Sequence, residues 1–249
     1  MNIDINELRL DDLQVNDLKI FQNKDKYCFT SDAVILANFA RVKKGETFAD
    51  LGSGSGIISI LLTGKYNASK VYAIELQEYL AKMSELSIQH NSLNEKVKVI
   101  NQPMQTAHKI LGKHNMDAVI CNPPYTRKGD GETNQDVEIA ICRHEIKVSL
   151  KEVVESAASL IKYGGRFYLI HQTERLSEIF YHLHNYKFEP KRIRFVQGRV
   201  GIKPTLVMIE AYYNGNIGLI VENNLVLYDN NGQETDELKS IYGRCNYER

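Results

Sequence analysis

The chain has 249 residues, equal numbers of acidic and basic side chains and 43% hydrophobic residues, a balance that suits one α/β domain with extensions at its ends and not a fibrous, disordered or broadly nucleic-acid-coating protein. No apolar run approaches the roughly 18 residues of a membrane helix, and Met1 to Glu7 has neither the basic nor the apolar part of a signal peptide, so a cytoplasmic location without membrane attachment is expected. Cys28, Cys121, Cys142 and Cys245 are scattered with no Cys-x-x-Cys pair, and neither a disulfide nor a metal site is expected.

From Thr47 to Tyr213, strand-like runs near 47–51, 70–75, 97–101, 116–122, 166–171, 191–196 and 205–213 alternate with helical segments. Such alternation predicts an α/β fold with a mostly parallel sheet covered on both faces. The chain then divides into a helical lead-in over 1–45, a core domain over 46–213 and an extension over 214–249.

The first strand, Thr47 to Leu51, enters Gly52-Ser53-Gly54-Ser55-Gly56 and then a helix beginning Ile57-Ile58. Glycines let the backbone pass close to a ligand. The dinucleotide fingerprint needs Gly or Ala three residues after its second glycine, and Ile57 stands there, so a pyrophosphate cradle is not matched. The pattern is instead Asp-x-Gly-x-Gly-x-Gly, running from Asp50 through Gly52, Gly54 and Gly56. An acid just before the loop repels phosphate and suits a cationic or amino-bearing ligand. S-adenosylmethionine, with its ammonium and sulfonium, is such a ligand. The second strand ends in Glu75, about 20 residues on, where folds of this kind bind ribose hydroxyls, and Leu76 follows it. The competing readings are a tight turn for the loop and an ordinary strand-end acid for Glu75; their mutual spacing favours the ligand site.

The fourth strand, Met116 to Cys121, runs into Asn122-Pro123-Pro124-Tyr125. This places an amide, rigid carbonyls and an aromatic ring at one mouth. Asn122 Oδ1 and the Pro123 carbonyl can accept the two hydrogens of a planar amino group while Tyr125 stacks on its plane. Alone, the motif is a proline-stiffened turn; beside a glycine loop it carries chemistry. Cys121 reads as a small buried side chain, and His144 and His171 as ordinary histidines. Residues 126–136 lack periodicity and read as a mobile lid or substrate loop, against plain surface disorder.

Ser149 and Glu152 form a capping box for a helix to Lys162 that buries Leu150, Val153, Val154, Ala157 and Leu160. A further helix spans Thr173 to Asn185. Only the loop Gln197 to Pro204 joins the last two strands, so they pair antiparallel at the sheet edge. Leu219 to Val221 and Leu225 to Tyr228 read as an added hairpin about the turn Glu222 to Asn224, before a short helix from Thr235 to Tyr242. Lys187, Lys191, Arg192, Arg194, Arg199 and Lys203 crowd the last strand pair, over 187–203, against the single acid Glu189. With Arg127 and Lys128 they suggest a phosphate-contacting track with Tyr186 and Phe195 interleaved, the alternative being a solvated basic edge strand.

Taken together, the chain resembles the bacterial tRNA adenine-37 N6-methyltransferase family, which modifies the adenine beside the anticodon of a valine tRNA. The resemblance rests on Leu18 to Gln22, Phe29 to Ala33, the glycine loop, Asn122 to Tyr125, Arg143-His144-Glu145, Gly164 to Phe167, Glu189 to Arg192 and Ile241 to Gly243. It implies a Rossmann-like class I methyltransferase fold with a seven-stranded, mostly parallel sheet, an antiparallel last strand and a small C-terminal hairpin. It also implies S-adenosylmethionine as cofactor, tRNA as partner, Asn122, Pro123 and Tyr125 as catalytic residues, and Asp50, Gly52, Gly54, Gly56, Glu75, Leu76 and Asn122 around the cofactor. Residues Tyr27 to Ser31 would cover its methionine end and Arg143 to Glu145 would support the substrate side, although Arg143 and Glu145 also fit an ordinary ion pair. Many relatives carry an acid for the cofactor adenine after the third strand; here Gln102 offers a carbonyl and Asn101 is the alternative. Three other functions compete, among them a DNA adenine methyltransferase, for which no target-recognition domain is evident. Protein glutamine N5-methyltransferases of release factors share Asn-Pro-Pro-Tyr but carry a larger helical domain before the glycine loop. A catalytically silent RNA-binding module would have no need of an intact Asn-Pro-Pro-Tyr.

Overall fold

The computed structural model describes residues 3, 7–23, 29–125 and 148–244. Its lead-in is only partly helical: β1 (Arg9–Asp12) and β2 (Lys19–Gln22) form an antiparallel hairpin before α1 (Ser31–Phe39). The central part follows in the expected alternation: β3 (Thr47–Leu51), α2 (Ile57–Gly64), β4 (Lys70–Glu75), α3 (Glu78–His90), β5 (Val97–Asn101), α4 (His108–Leu111) and β6 (Met116–Cys121). Then come α5 (Leu150–Leu160), β7 (Ile161–Gln172), α6 (Leu176–Asn185), β8 (Phe188–Arg199) and β9 (Leu206–Tyr213), and finally β10 (Ile220–Val221), β11 (Leu225–Tyr228) and α7 (Asp236–Ile241). The capping box forms as its sequence requires, with Ser149 accepting from the Glu152 amide and Glu152 from the Ser149 amide.

The main sheet runs in the order β10, β8, β9, β7, β6, β3, β4, β5, with β11 also on β8. Strands β3 to β7 are parallel, and β9 is antiparallel to both β7 and β8. β3 and β6 are buried almost throughout, because helices cover both faces. Phe48 joins the core beneath α1, α2 and α7, while Ala49 and Leu51 join the core beneath α4, α5 and α6.

The expected C-terminal hairpin is not formed. β10 and β11 instead pair in succession, both parallel, along the free edge of β8, with Ile220 opposite Arg192 and Leu225 opposite Val196. The intervening residues cannot reverse because β8 grips them: the Glu222 amide donates to the Ile193 carbonyl at 2.9 Å, and Arg194 Nε to the Asn223 carbonyl at 2.9 Å. The segment covers an edge that would otherwise present unpaired amides and carbonyls. Among the described residues the sheet therefore has nine strands, the two expected in a separate hairpin having joined its edge.

The connections place the ligand crevice. From β3 the chain moves outward to β4 and β5, then returns to β6 on the other side of β3. In open α/β sheets ligands bind at such a reversal, beyond the carboxyl ends of the strands. The Asp50 loop and Asn122 occupy those two ends.

Candidate active site

After β3 the backbone turns sharply enough that Gly52, Gly54 and Gly56 all take positive φ, at 70°, 55° and 88°. At Gly56 a side chain is excluded twice, since a Cβ would also lie 2.3 Å from Ser84 Oγ. The loop folds over the end of β4, the Gly52 and Ser53 amides donating to the Ile74 carbonyl at 2.9 and 3.0 Å. Glu75, nearly buried, accepts from the Gly54 amide and the Gln77 amide, each at 2.8 Å. Burial pushes the Glu75 carboxyl above its usual range, and these amides oppose that shift.

Asp50 is fully buried. One oxygen accepts from Ser59 Oγ at 2.7 Å, tying the strand end to the first turn of α2, and the other, Oδ1, has no partner. Burial, with Glu75 adding to it, pushes its carboxyl up to about 7 against the lowering effect of Ser59. A buried carboxylate oxygen without a donor is the complement of an ammonium, and two acids at one loop repel a phosphate. S-adenosylmethionine fits this donor set. Leu76 is 39% exposed beside Glu75, an apolar surface at the crevice. Of the two candidates after β5, Asn101 is already used: its Nδ2 donates to the Glu75 and Leu76 carbonyls, both at 2.9 Å. Gln102 is exposed, and its backbone amide anchors to the Glu75 carbonyl.

On the other side of β3, Asn122 and Tyr125 are half-buried and Pro123 is buried. The Tyr125 hydroxyl reaches Asn122 Oδ1 at 2.9 Å and Asp32 Oδ2, on the first turn of α1, at 3.0 Å. The Tyr125 ring lies against the His171 ring, centroids 5.1 Å apart and tilted by 47°. His171 is buried at the end of β7, accepts from the Gln172 amide through Nδ1, and faces Arg175 with Nε2 at 3.3 Å. Burial, then Arg175, lowers its pKa to about 4, so it is neutral at physiological pH. Asp32, within the Phe29 to Ala33 motif, and His171, expected to be an ordinary histidine, both meet Tyr125 here, a role the sequence does not give them. Asp32 stands 93 residues before Tyr125, and no local spacing joins them.

Cys121 is buried, donating to the Leu51 carbonyl at 3.1 Å, with burial pushing its thiol up, in keeping with a small core side chain. Among the described residues no cluster of His, Cys, Asp and Glu could hold a metal ion, and no helix is long and apolar enough to cross a membrane. A cavity lined by Lys44, Tyr66, Asn67, Ala68, Ser69 and Lys96 lies away from the site, by the amino ends of β4 and β5.

The basic track divides. Arg192 is a correction: it is buried, not on a nucleic-acid face, with Nε on Glu210 at 2.6 Å, Nη2 on the Phe39 carbonyl at 2.7 Å and its guanidinium over the Phe39 ring. Arg194 is engaged with Glu237 at 2.7 Å, and Lys191 with the Asn216 carbonyl at 3.0 Å. Arg199 and Lys203 are exposed on the β8–β9 turn. Leu206 pairs with Gln172 and Val196, so that turn stands at the sheet end where β7 finishes, the end that carries Tyr125 and His171. Tyr27, Arg127, Lys128, the 126–136 loop and Arg143 to Glu145 lie outside the described residues.

The methyltransferase small domain family model matches residues 27–183. A tRNA1(Val) (adenine(37)-N6)-methyltransferase from Aliivibrio fischeri is 26% identical over 211 residues, 84% of this chain and 87% of its own. One of the same name from a Flavobacteriaceae bacterium is 24% identical, over 81% of this chain and 84% of its own. Among solved structures, a predicted O-methyltransferase from Agrobacterium tumefaciens superimposes with a TM-score of 0.70 at 18% identity, covering 87% of this chain and 98% of its own. A SAM-dependent O-methyltransferase from Thermotoga maritima superimposes with a TM-score of 0.53 at 20% identity, covering 77% and 68%.

Proposed function

We propose that this chain, which belongs to the methyltransferase small domain family, methylates the exocyclic N6 amino group of an adenine in tRNA, adenine 37 beside the anticodon of a valine tRNA, in the cytoplasm. The observation that carries the reading is the seating of Asn122-Pro123 and Tyr125 at the end of β6, adjacent across the switch point to an acid-lined glycine loop. The names of the relatives supply the choice of tRNA and position.

S-adenosylmethionine would be held by the loop Gly52 to Gly56 and Asp50, with Glu75 toward the ribose and Leu76 and Gln102 toward the adenine; when bound it supplies an electrophilic methyl group. The chain's own task is to make an aromatic amine reactive. Its lone pair is delocalised into the ring, and acceptors on both N–H bonds, Asn122 Oδ1 and the Pro123 carbonyl, favour the nitrogen as it becomes tetrahedral over the planar ground state. Tyr125 stacks on the extruded base and fixes its plane, the contribution of orientation. Exposed Arg199 and Lys203 contact the RNA backbone from the same end of the sheet.

The test is methyl transfer from labelled S-adenosylmethionine to unmodified total tRNA, with release factor and duplex DNA in parallel, followed by nucleoside mass spectrometry. N6-methyladenosine in tRNA is expected. Label confined to release factor would move the substrate to a glutamine amide and overturn the RNA reading. Asn122→Ala should lower kcat by about 100-fold or more with cofactor affinity unchanged by calorimetry; equal loss of both would remove Asn122 from catalysis.

A further inference from the structure

The Tyr125 hydroxyl has a single hydrogen to donate and, among the described residues, two acceptors within reach, Asp32 Oδ2 at 3.0 Å and Asn122 Oδ1 at 2.9 Å. The choice between them decides which end of the Asn122 amide faces outward. If the hydrogen goes to Asn122, the amide oxygen turns toward Tyr125 and the NH2 end faces away. That end is a donor, useless to an amino group that offers only hydrogens. If the hydrogen goes to Asp32, the Tyr125 oxygen is left as an acceptor facing the amide. The NH2 end must then turn to it and the carbonyl oxygen faces away, a half-turn from the orientation of the structure, in which Oδ1 lies 2.9 Å from the hydroxyl. A hydroxyl bonds a carboxylate about twice as strongly as a neutral acceptor. Asp32 also sits on the first turn of a packed helix, which holds it in place.

We propose that Asp32 is a positioning residue: by taking the Tyr125 hydrogen it turns the Asn122 amide so that Oδ1 points outward as the acceptor for the substrate amino group. This relay rests on the reading of Asn122 as that acceptor. It assigns a role in catalysis to the segment before the glycine loop, which touches the site through a side chain on a rigid element.

The experiment combines Asp32→Ala, Tyr125→Phe and the double variant, read by kcat and KM on tRNA, by cofactor affinity and melting temperature, and by the side-chain amide NMR signal of Asn122. That signal is identified by its disappearance in Asn122→Ala. Asp32→Ala should lower kcat by about tenfold or more with cofactor affinity unchanged. Adding Tyr125→Phe should then raise kcat, because the hydroxyl that captures the amide oxygen is gone. The Asn122 amide signal should shift in Asp32→Ala before any substrate is added. A full rate in Asp32→Ala, a double variant slowed by the product of the two single losses, or an unmoved amide signal would overturn the relay. Should the wild-type protein methylate no adenine, the functional reading falls while the amide signal still judges the relay.

Discussion

Asp50 couples the glycine loop to pH. Its carboxyl, pushed up to about 7 by burial, holds its proton more tightly in the folded protein than in the unfolded chain. The stability it confers is therefore complete below the ordinary aspartate range and is lost as pH rises through 7. A cationic ligand reverses the preference, since it favours the ionised carboxylate. Binding of S-adenosylmethionine should tighten from pH 5 to about 7 and then level off, with a proton released per ligand bound at the lower pH. Calorimetry in buffers of different ionisation enthalpy measures that release, and Asp50→Asn should abolish it. A release that survives the substitution would assign the proton to another group. Asp50, the glycines and Asn122 are legible in the sequence because each is fixed by its own strand end and its neighbours. The contacts of Asp32 and His171 with Tyr125 are not, because only the closing of α1 and β7 around β6 makes them.

At the scale of elements, β8 shows what local reading can and cannot separate. Its basic residues look alike in sequence, yet Arg192 lies opposite Glu210 in mid-sheet while Arg199 lies at the turn. Removing Arg192 strands the buried Glu210 and should cost about 3–5 kcal/mol, seen as a large drop in melting temperature. Arg199→Ala with Lys203→Ala should leave melting nearly unchanged, weaken tRNA binding and reduce its salt slope by about 1 for each phosphate that is no longer neutralised. Filter binding at several salt concentrations distinguishes the two variants. An unaltered slope in the double variant would take the β8–β9 turn off the RNA. Burial explains the same contrast among strands. β3 and β6 are apolar runs covered on both faces and are evident as such, whereas β1 (RLDD) and β2 (KIFQ) are short and rich in polar residues. β10 and β11 mimic a hairpin because two short apolar runs around Glu222-Asn223-Asn224 carry no record of the β8 edge that pairs with both.

At the scale of the whole molecule, the lead-in and the C-terminal extension pack into the core of the central part. Leu13, Leu18 and Ile20 from the lead-in and Leu225, Leu238 and Ile241 from the extension share a single apolar cluster with Phe48 and Ile60. Polar clasps reinforce it: Arg244 Nε donates to Gln14 at 2.5 Å, Lys65 Nζ to the Ile241 carbonyl at 2.6 Å, and Asn91 both accepts from and donates to the Lys19 backbone, at 2.9 and 2.6 Å. A lead-in joined in this way cannot loosen without exposing core, so unfolding should be a single transition, coincident by far-UV circular dichroism and by the fluorescence of the 14 tyrosines, the chain having no tryptophan. Asn91→Ala leaves the Lys19 backbone without its partners and should cost about 1–3 kcal/mol, moving the whole transition down without splitting it. An early, separate transition in that variant would show the lead-in to be an independent unit. It would also detach Asp32 from the rigid body that holds it against Tyr125, so the cooperativity of unfolding and the positioning of Asn122 depend on the same docking of α1.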